Sequence, residues 1–245
     1  MQGQQQQAYD RGITIFSPDG RLYQVEYARE AVKRGTPSVG VRTEEGVVLA
    51  VDKRSRSQLM EADSIEKLHK VADHVGIASA GHVADARRLI DFARRRAQLE
   101  ELRYEEPVDT EVLTKAVTDN IQQYTQMGGV RPFGAALLIG GVSNGEPRLF
   151  ETDPSGTPNE WKAVAIGADR SEIQDYLEEH WGPDLTLEAG IELALGALAT
   201  TRDEALEAEE LAMGAVEAET AIYSRLGESE INAHLEEVDL EEDEE

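Results

Sequence analysis

The chain of 245 residues contains no cysteine, which excludes disulfides, cysteine-ligated metals and thiol chemistry. Aromatic residues make up only 5% of it, and no run approaches the eighteen apolar residues that a membrane-crossing helix needs. Cations are scarce as well: 24 Lys+Arg stand against 49 Asp+Glu, a formal net charge of −25 at pH 7. That balance argues against a nucleic-acid-binding face, because phosphate contacts need cations. Two readings remain, a highly soluble acidic protein or a surface adapted to concentrated salt, where screening removes self-repulsion. Arginine far outnumbers lysine and the acids run the length of the chain, which favours the second. No basic segment followed by an apolar run opens the sequence, so a soluble protein without a visible targeting signal is expected. The lack of cysteine is compatible with a reducing, intracellular compartment.

Familiar site patterns are missing too. His69, His74, His82, His180 and His234 are scattered, with no helix-spaced pair such as H-E-x-x-H, so structural or surface roles and no metal are expected. Gly128-Gly129 and Gly140-Gly141 lack the Gly-Lys-Ser/Thr ending of a phosphate loop, and no cofactor is expected. Arg94-Arg95-Arg96 reads as a solvated helix face or one side of a subunit contact.

What is present is a regular succession of elements. Residues 38–42 and 46–52 read as paired strands, and 67–71 and 75–80 as a second pair reversing at Asp73-His74. Helical periodicity follows over 83–102, and a helix starting at Asp109 or Thr110 runs to about Gln126. After the glycine-rich loop 127–132 come strands over 133–142, around 148–151 and over 161–166. Helices are predicted over 170–180 and 186–201, strands over 211–217 and 219–225, and a short helix from about Glu228. Residues 236–245 are almost wholly acidic and are expected to be a solvated tail. Strands and helices segregate into blocks, which predicts an α+β layered sandwich rather than an alternating parallel fold.

The most distinctive stretch is Tyr9 to Gly35. Ser17-Pro18-Asp19-Gly20 is a turn, with Ser17 or Asp19 placed to cap the helix that follows. Leu22, Val25, Ala28 and Val32 then recur at helical spacing, and Gly35 is a natural residue to end the helix. Residue by residue, Tyr9-Asp10-Arg11, Phe16 to Leu22 and Gln24 to Ala28 resemble the N-terminal signature of proteasome α-type subunits. The likeness continues in Val83 to Arg87, in Tyr124-Thr125-Gln126 with Gly128 to Gly134, and in Asp153 to Gly156 and Ala165-Ile166-Gly167. It covers residues 8 to 231.

The resemblance, closest to halophilic archaea, implies a four-layer α/β/β/α sandwich of two antiparallel sheets flanked by helices, the N-terminal nucleophile hydrolase fold. It divides the chain into a flexible gate segment 1–12, a domain 13–231 with its N-terminal helix over 20–34, and an acidic tail 232–245. It implies a non-catalytic, cytoplasmic subunit of a seven-membered outer ring, with other α subunits, catalytic β subunits, regulatory ATPase C-termini and unfolded proteins as partners. No nucleic acid or membrane is among them. By the same resemblance Tyr9, Asp10, Arg11, Pro18 and Tyr27 belong to the gate. Lys67 and Gly35 line the activator-docking pocket, and Met127, Gly128, Gly129 and Arg131 belong to the pore constriction loop.

One rival comes from the same family. Its catalytic members use an N-terminal threonine whose free amine is the base. Gly35-Thr36 stands where they are cleaved, with Asp52 and Lys67 at matching intervals, so Thr36 is the alternative nucleophile of a self-processed hydrolase. Against it, an internal threonine has an amide nitrogen, which is not basic, and a well-formed helix precedes it. A free-standing acidic scaffold is a third reading, separable by particle size.

Overall fold

A computed structural model describes residues 16–242, apart from 56, 58 and 203. Helix α1 (Tyr23–Lys33) leads into strands β1 (Ser38–Arg42) and β2 (Gly46–Asp52). Strands β3 (Leu68–Ala72) and β4 (Val75–Gly81) precede helices α2 (Val83–Tyr104) and α3 (Thr110–Gln126). Strands β5 (Ala135–Ser143), β6 (Glu146–Thr152), β7 (Pro158–Glu160) and β8 (Ala163–Ile166) follow. Helices α4 (Arg170–His180) and α5 (Leu187–Ala199), strands β9 (Leu211–Glu217) and β10 (Tyr223–Arg225), and helix α6 (Glu228–Glu242) complete the chain.

The strands form two antiparallel sheets in the orders β10-β9-β2-β1-β8 and β3-β4-β5-β6-β7. Both faces of the central strands are covered, so they read as continuous apolar runs rather than alternating ones. In β2, Val48 and Ala50 face the layer of α4, α5 and α6, while Val47, Leu49 and Val51 face the opposite sheet. In β5, Leu137 and Ile139 pack under α2 and α3, and Ala136 and Leu138 point into the space between the sheets. The result is the α/β/β/α sandwich that the resemblance implies. The sheets come close because glycine occupies the crowded points: a Cβ on Gly140 would lie 2.7 Å from Val47 Cγ1.

Several local expectations change. The strand predicted over 161–166 is β8, which starts at Ala163 and pairs with β1, while an unpredicted strand just before it, β7, pairs with β6 in the other sheet. The chain crosses between sheets at Trp161-Lys162, where Trp161 packs on the inter-sheet core. The last strand shrinks to three residues because Ala221, at φ 50°, turns the chain just before it. The short helix near Glu228 extends to Glu242 because Ile231, Leu235 and Val238 recur at helical spacing and pack against the α5 side. Neither Ser17 nor Asp19 caps α1, whose N-cap is Leu22 with no side-chain bond. Ser17 instead closes its own loop, its Oγ accepting from Arg21 N at 3.1 Å.

Candidate functional site

Where α1 ends, three glycines meet backbone to backbone. A Cβ on Gly35 would lie 2.4 Å from Gly81 N, and one on Gly81 2.4 Å from Gly134 O. Gly35 is therefore needed for this approach and not for a left-handed helix end; Gly81, at φ 102°, is needed for both reasons. Beside this contact opens a cavity of about 580 Å³ walled by Tyr27, Arg34, Gly35, Lys67, Gly81 and His82. Lys67 and Gly35, 32 positions apart in sequence, thus share one wall.

Lys67 is buried and its ammonium is heavily engaged. Nζ donates to Thr36 O at 2.8 Å, Thr36 Oγ1 at 2.8 Å, Asp52 O at 3.0 Å and Pro37 O at 3.1 Å. Every acceptor is a neutral oxygen. Burial pushes the Lys67 amine down to about 7; the Asp52 charge opposes the fall, and Arg54 adds to it. The Asp52 carboxylate turns away to another set of partners, accepting from Arg54 N at 2.7 Å and Arg54 Nε at 2.6 Å, with Arg202 Nη2 an ion-pair neighbour at 3.2 Å.

This geometry decides the rival reading. Thr36, Lys67 and the Asp52 backbone do converge, and Thr36 Oγ1 donates to Asp52 O at 2.7 Å. Yet Thr36 lies within a continuous chain, between Gly35 and Pro37, and its nitrogen is a peptide amide without a free lone pair. The free α-amine that serves as base in the family's catalytic members is absent, and the hydroxyl proton is already given to Asp52 O. Thr36 is a structural hydrogen-bonding residue, not a nucleophile.

The loop 127–134 is pinned at its root and open at its tip. Arg131 forms a bidentate pair with Asp85, with Nη2 donating to Oδ1 at 2.8 Å, and Gly134 N donates to Asp85 Oδ2 at 2.9 Å. Burial pushes the Asp85 carboxyl up, but these donors outweigh it and hold the group below the usual carboxylate range. Across the loop the rings of Tyr124 and Phe133 pack at a tilt of 53° with centroids 4.5 Å apart, and Arg88 lies over both. Met127 is half exposed, and a Cβ added to Gly128 or Gly129 would meet nothing. Gly129, at φ 84°, serves backbone conformation alone.

Of the residues assigned to the gate, Tyr9, Asp10 and Arg11 lie outside the described residues. Pro18 sits in the exposed turn before α1, and Tyr27 is half exposed on the cavity rim. Sequence reasoning missed Asp85 as the anchor of the loop, because its partner lies 46 positions away. It also missed Gly81 and His82 as cavity walls; a glycine closing a strand just before a helix was the available signal. Among the described residues, this cavity groups no three metal-ligating side chains, and no helix is long and apolar enough to cross a membrane.

Comparison with known proteins adds to this geometry. The family model described as "Proteasome subunit" matches residues 32–216, and the model of the N-terminal signature of A-type proteasome subunits matches residues 9–31. The chain is 68% identical over 241 residues to "Proteasome subunit alpha 1" of Haloarcula marismortui, covering 98% of this chain and 93% of that one. It is 69% identical over 242 residues to "Proteasome subunit alpha" of Natronomonas pharaonis, covering 98% and 95% respectively. A match at 69% identity over 241 residues joins it to "Proteasome subunit alpha 1" of Haloferax volcanii. The N-terminal signature covers the segment that a self-processed hydrolase would discard. With its two-sheet sandwich, its internal Thr36 and its A-type N-terminus, the chain belongs to the proteasome subunit family and is of the non-catalytic α type.

Proposed function

We propose that this α-type subunit gates entry to a proteasome core and opens when the C-terminus of a regulatory ATPase enters the Lys67 cavity. Seven copies form the outer ring, stacked in the cytoplasm on catalytic β subunits that degrade unfolded proteins. Copies in a closed ring meet through two different faces. The N-terminal segment 1–12, with Tyr9, Asp10 and Arg11, obstructs the entrance, while Pro18 and Tyr27 hold it aside in the open arrangement. Met127, Gly128, Gly129 and Arg131 line the constriction behind it.

The observation that carries this reading is a buried ammonium held only by neutral oxygens, on a cavity that Gly35 and Gly81 help to wall. A peptide's terminal carboxylate brings a full negative charge, and a charge-assisted hydrogen bond is stronger than one to a carbonyl. The incoming group therefore competes successfully for one of the ammonium's protons. Arg34, on the same rim, adds a second cation, set against the Glu30 carboxylate that also lines the cavity. Gly81 and His82 wall the cavity, and His82 N donates to Gly134 O at 2.8 Å. A docked peptide thus bears on the root of the constriction loop as well as on α1.

The test replaces Lys67 in assembled cores. Lys67→Ala is expected to abolish ATPase-stimulated proteolysis while rings still assemble. Lys67→Arg is expected to restore it only partly, because a planar fork cannot reproduce a compact ammonium among four acceptors. Full stimulation in Lys67→Ala contradicts the docking role.

A further inference from the structure

The outer helical layer carries a second grouping of charged side chains. Glu192 projects from α5, and His234 and Glu237 from successive turns of α6. His234 Nδ1 lies 3.6 Å from Glu192 Oε1 and 3.6 Å from Glu237 Oε2, and the three donor atoms fall within 4.8 Å of one another. One feature sets this apart from an ordinary surface ion cluster. Nδ1 is shut off from solvent and has no hydrogen-bond partner, although two acceptors face it.

At 3.6 Å from either acid, Nδ1 is beyond hydrogen-bonding distance of both. A metal ion fits better. Zinc bonds to imidazole nitrogen and carboxylate oxygen at about 2.0–2.2 Å, and a tetrahedron of that size has edges of roughly 3.3–3.6 Å. The two separations from His234 Nδ1 match that edge, and the third lies within 4.8 Å. A nitrogen donor among oxygens selects a first-row transition metal over magnesium or calcium, which take all-oxygen shells. We propose that Glu192, His234 and Glu237 bind a divalent transition-metal ion of the zinc class, which clamps helix α6 onto α5. Glu237 is 64% exposed, so solvent reaches the fourth coordination position. The ion offsets two negative charges in a chain of net charge −25, and it adds a tie beyond the apolar contacts of Ile231 and Leu235.

The test uses the full-length chain, freed of metal with a chelator and dialysed against zinc in concentrated salt. The expected result is about one zinc per chain, with a raised unfolding temperature that His234→Ala does not show. Glu237→Gln is expected to weaken uptake by at least about tenfold, since even groups that only orient a ligand typically change affinity 10–100-fold. Cobalt(II) in the same site should give the intense visible bands of a tetrahedral ion, and excess magnesium should leave them unchanged. Equal zinc content in wild type and His234→Ala overturns the proposal, as does displacement of cobalt by magnesium. If His234→Ala does not fold, Glu192→Gln provides the same comparison, and wild-type zinc uptake in that variant is equally fatal.

Discussion

The cavity end of the sandwich and its outer helical layer are both buried, but they are built from opposite materials. In the outer layer, side-chain volume does the holding. Helix α5 buries Leu193, Leu195 and Leu198 between the sheet and its neighbouring helices, α4 adds Ile173 and Leu177, and Thr186 caps α5 by accepting from Ala189 N at 3.2 Å. The cavity end relies instead on glycine backbone and buried charge, with Tyr27, Ile65 and Val83 on its walls. Gly35, Gly81 and Gly134 bring backbone against backbone, and Asp52, Lys53 and Lys67 are each at most 6% exposed. An apolar layer is the cheaper way to stabilise a fold, since burying charges costs solvation that pairing returns only in part. A region made of ions and bare backbone is therefore where binding is to be sought.

This contrast predicts unequal responses to a change of one carbon. The largest effect is expected from Gly81→Ala, which adds a methyl group at φ 102° within 2.4 Å of Gly134 O. Backbone strain of about 1–3 kcal/mol joins an overpacking cost of about 1–3 kcal/mol, so denaturant titration should show a loss of roughly 2–6 kcal/mol. Removing a carbon from the outer layer should cost far less. If Gly81→Ala proves as mild as such a deletion, the contrast is wrong.

An intermediate effect is expected from Asp85→Asn, which keeps the shape but removes the charge facing Arg131. The expected loss is about 1–2 kcal/mol, the lower part of the range for charge-assisted hydrogen bonds, because Arg131 is 61% exposed. The folded-state carboxyl is depressed, so its contribution is fully present above the unfolded value of about 4 and fades as pH falls through the folded one. The gap between wild type and Asp85→Asn should be constant from neutral pH to about pH 4 and close in acid. A gap that widens on acidification would mean that the pair does not anchor the loop.

The smallest effect is expected from Ile173→Val in α4, where one methylene leaves a fully buried apolar site. Thermal or denaturant unfolding should register about 0.5–1.5 kcal/mol. A larger loss there than at Gly81 would reverse the ranking of the two regions.

How far the sequence discloses these two regions follows from the same difference in material. Volume leaves periodic traces: the apolar runs of β2 and β5 and the stripes of α2 and α3 are legible as strands and helices. The acidic run after Glu228 hides a longer helix, because Ile231, Leu235 and Val238 are sparse among glutamates. The crossover at Trp161 is hidden because the strand before it, Pro158-Asn159-Glu160, is short, polar and exposed, and only its pairing with β6 marks it as a strand. At the cavity, Lys67 and Gly35 are legible through resemblance, residue by residue. The Asp85–Arg131 anchor and the Glu192–His234 approach are not, because contacts 46 and 42 positions apart leave no local pattern.

The central claim is that the Lys67 cavity receives a terminal carboxylate, and pH tests it most directly. A docked anion favours the charged amine, which burial has brought down to about 7 in the empty cavity. Below that value the site is already protonated and docking takes up no proton; above it, docking must bind one, so affinity falls as pH rises. The measurement is binding of an activator C-terminal peptide to assembled rings across pH 6 to 9, beside the same peptide with its terminus amidated. The free acid should bind more tightly, losing up to about tenfold per pH unit above about 7, while the amide stays weak and flat and Lys67→Ala removes the slope. Equal affinities for acid and amide, or a slope that survives in Lys67→Ala, would contradict the account.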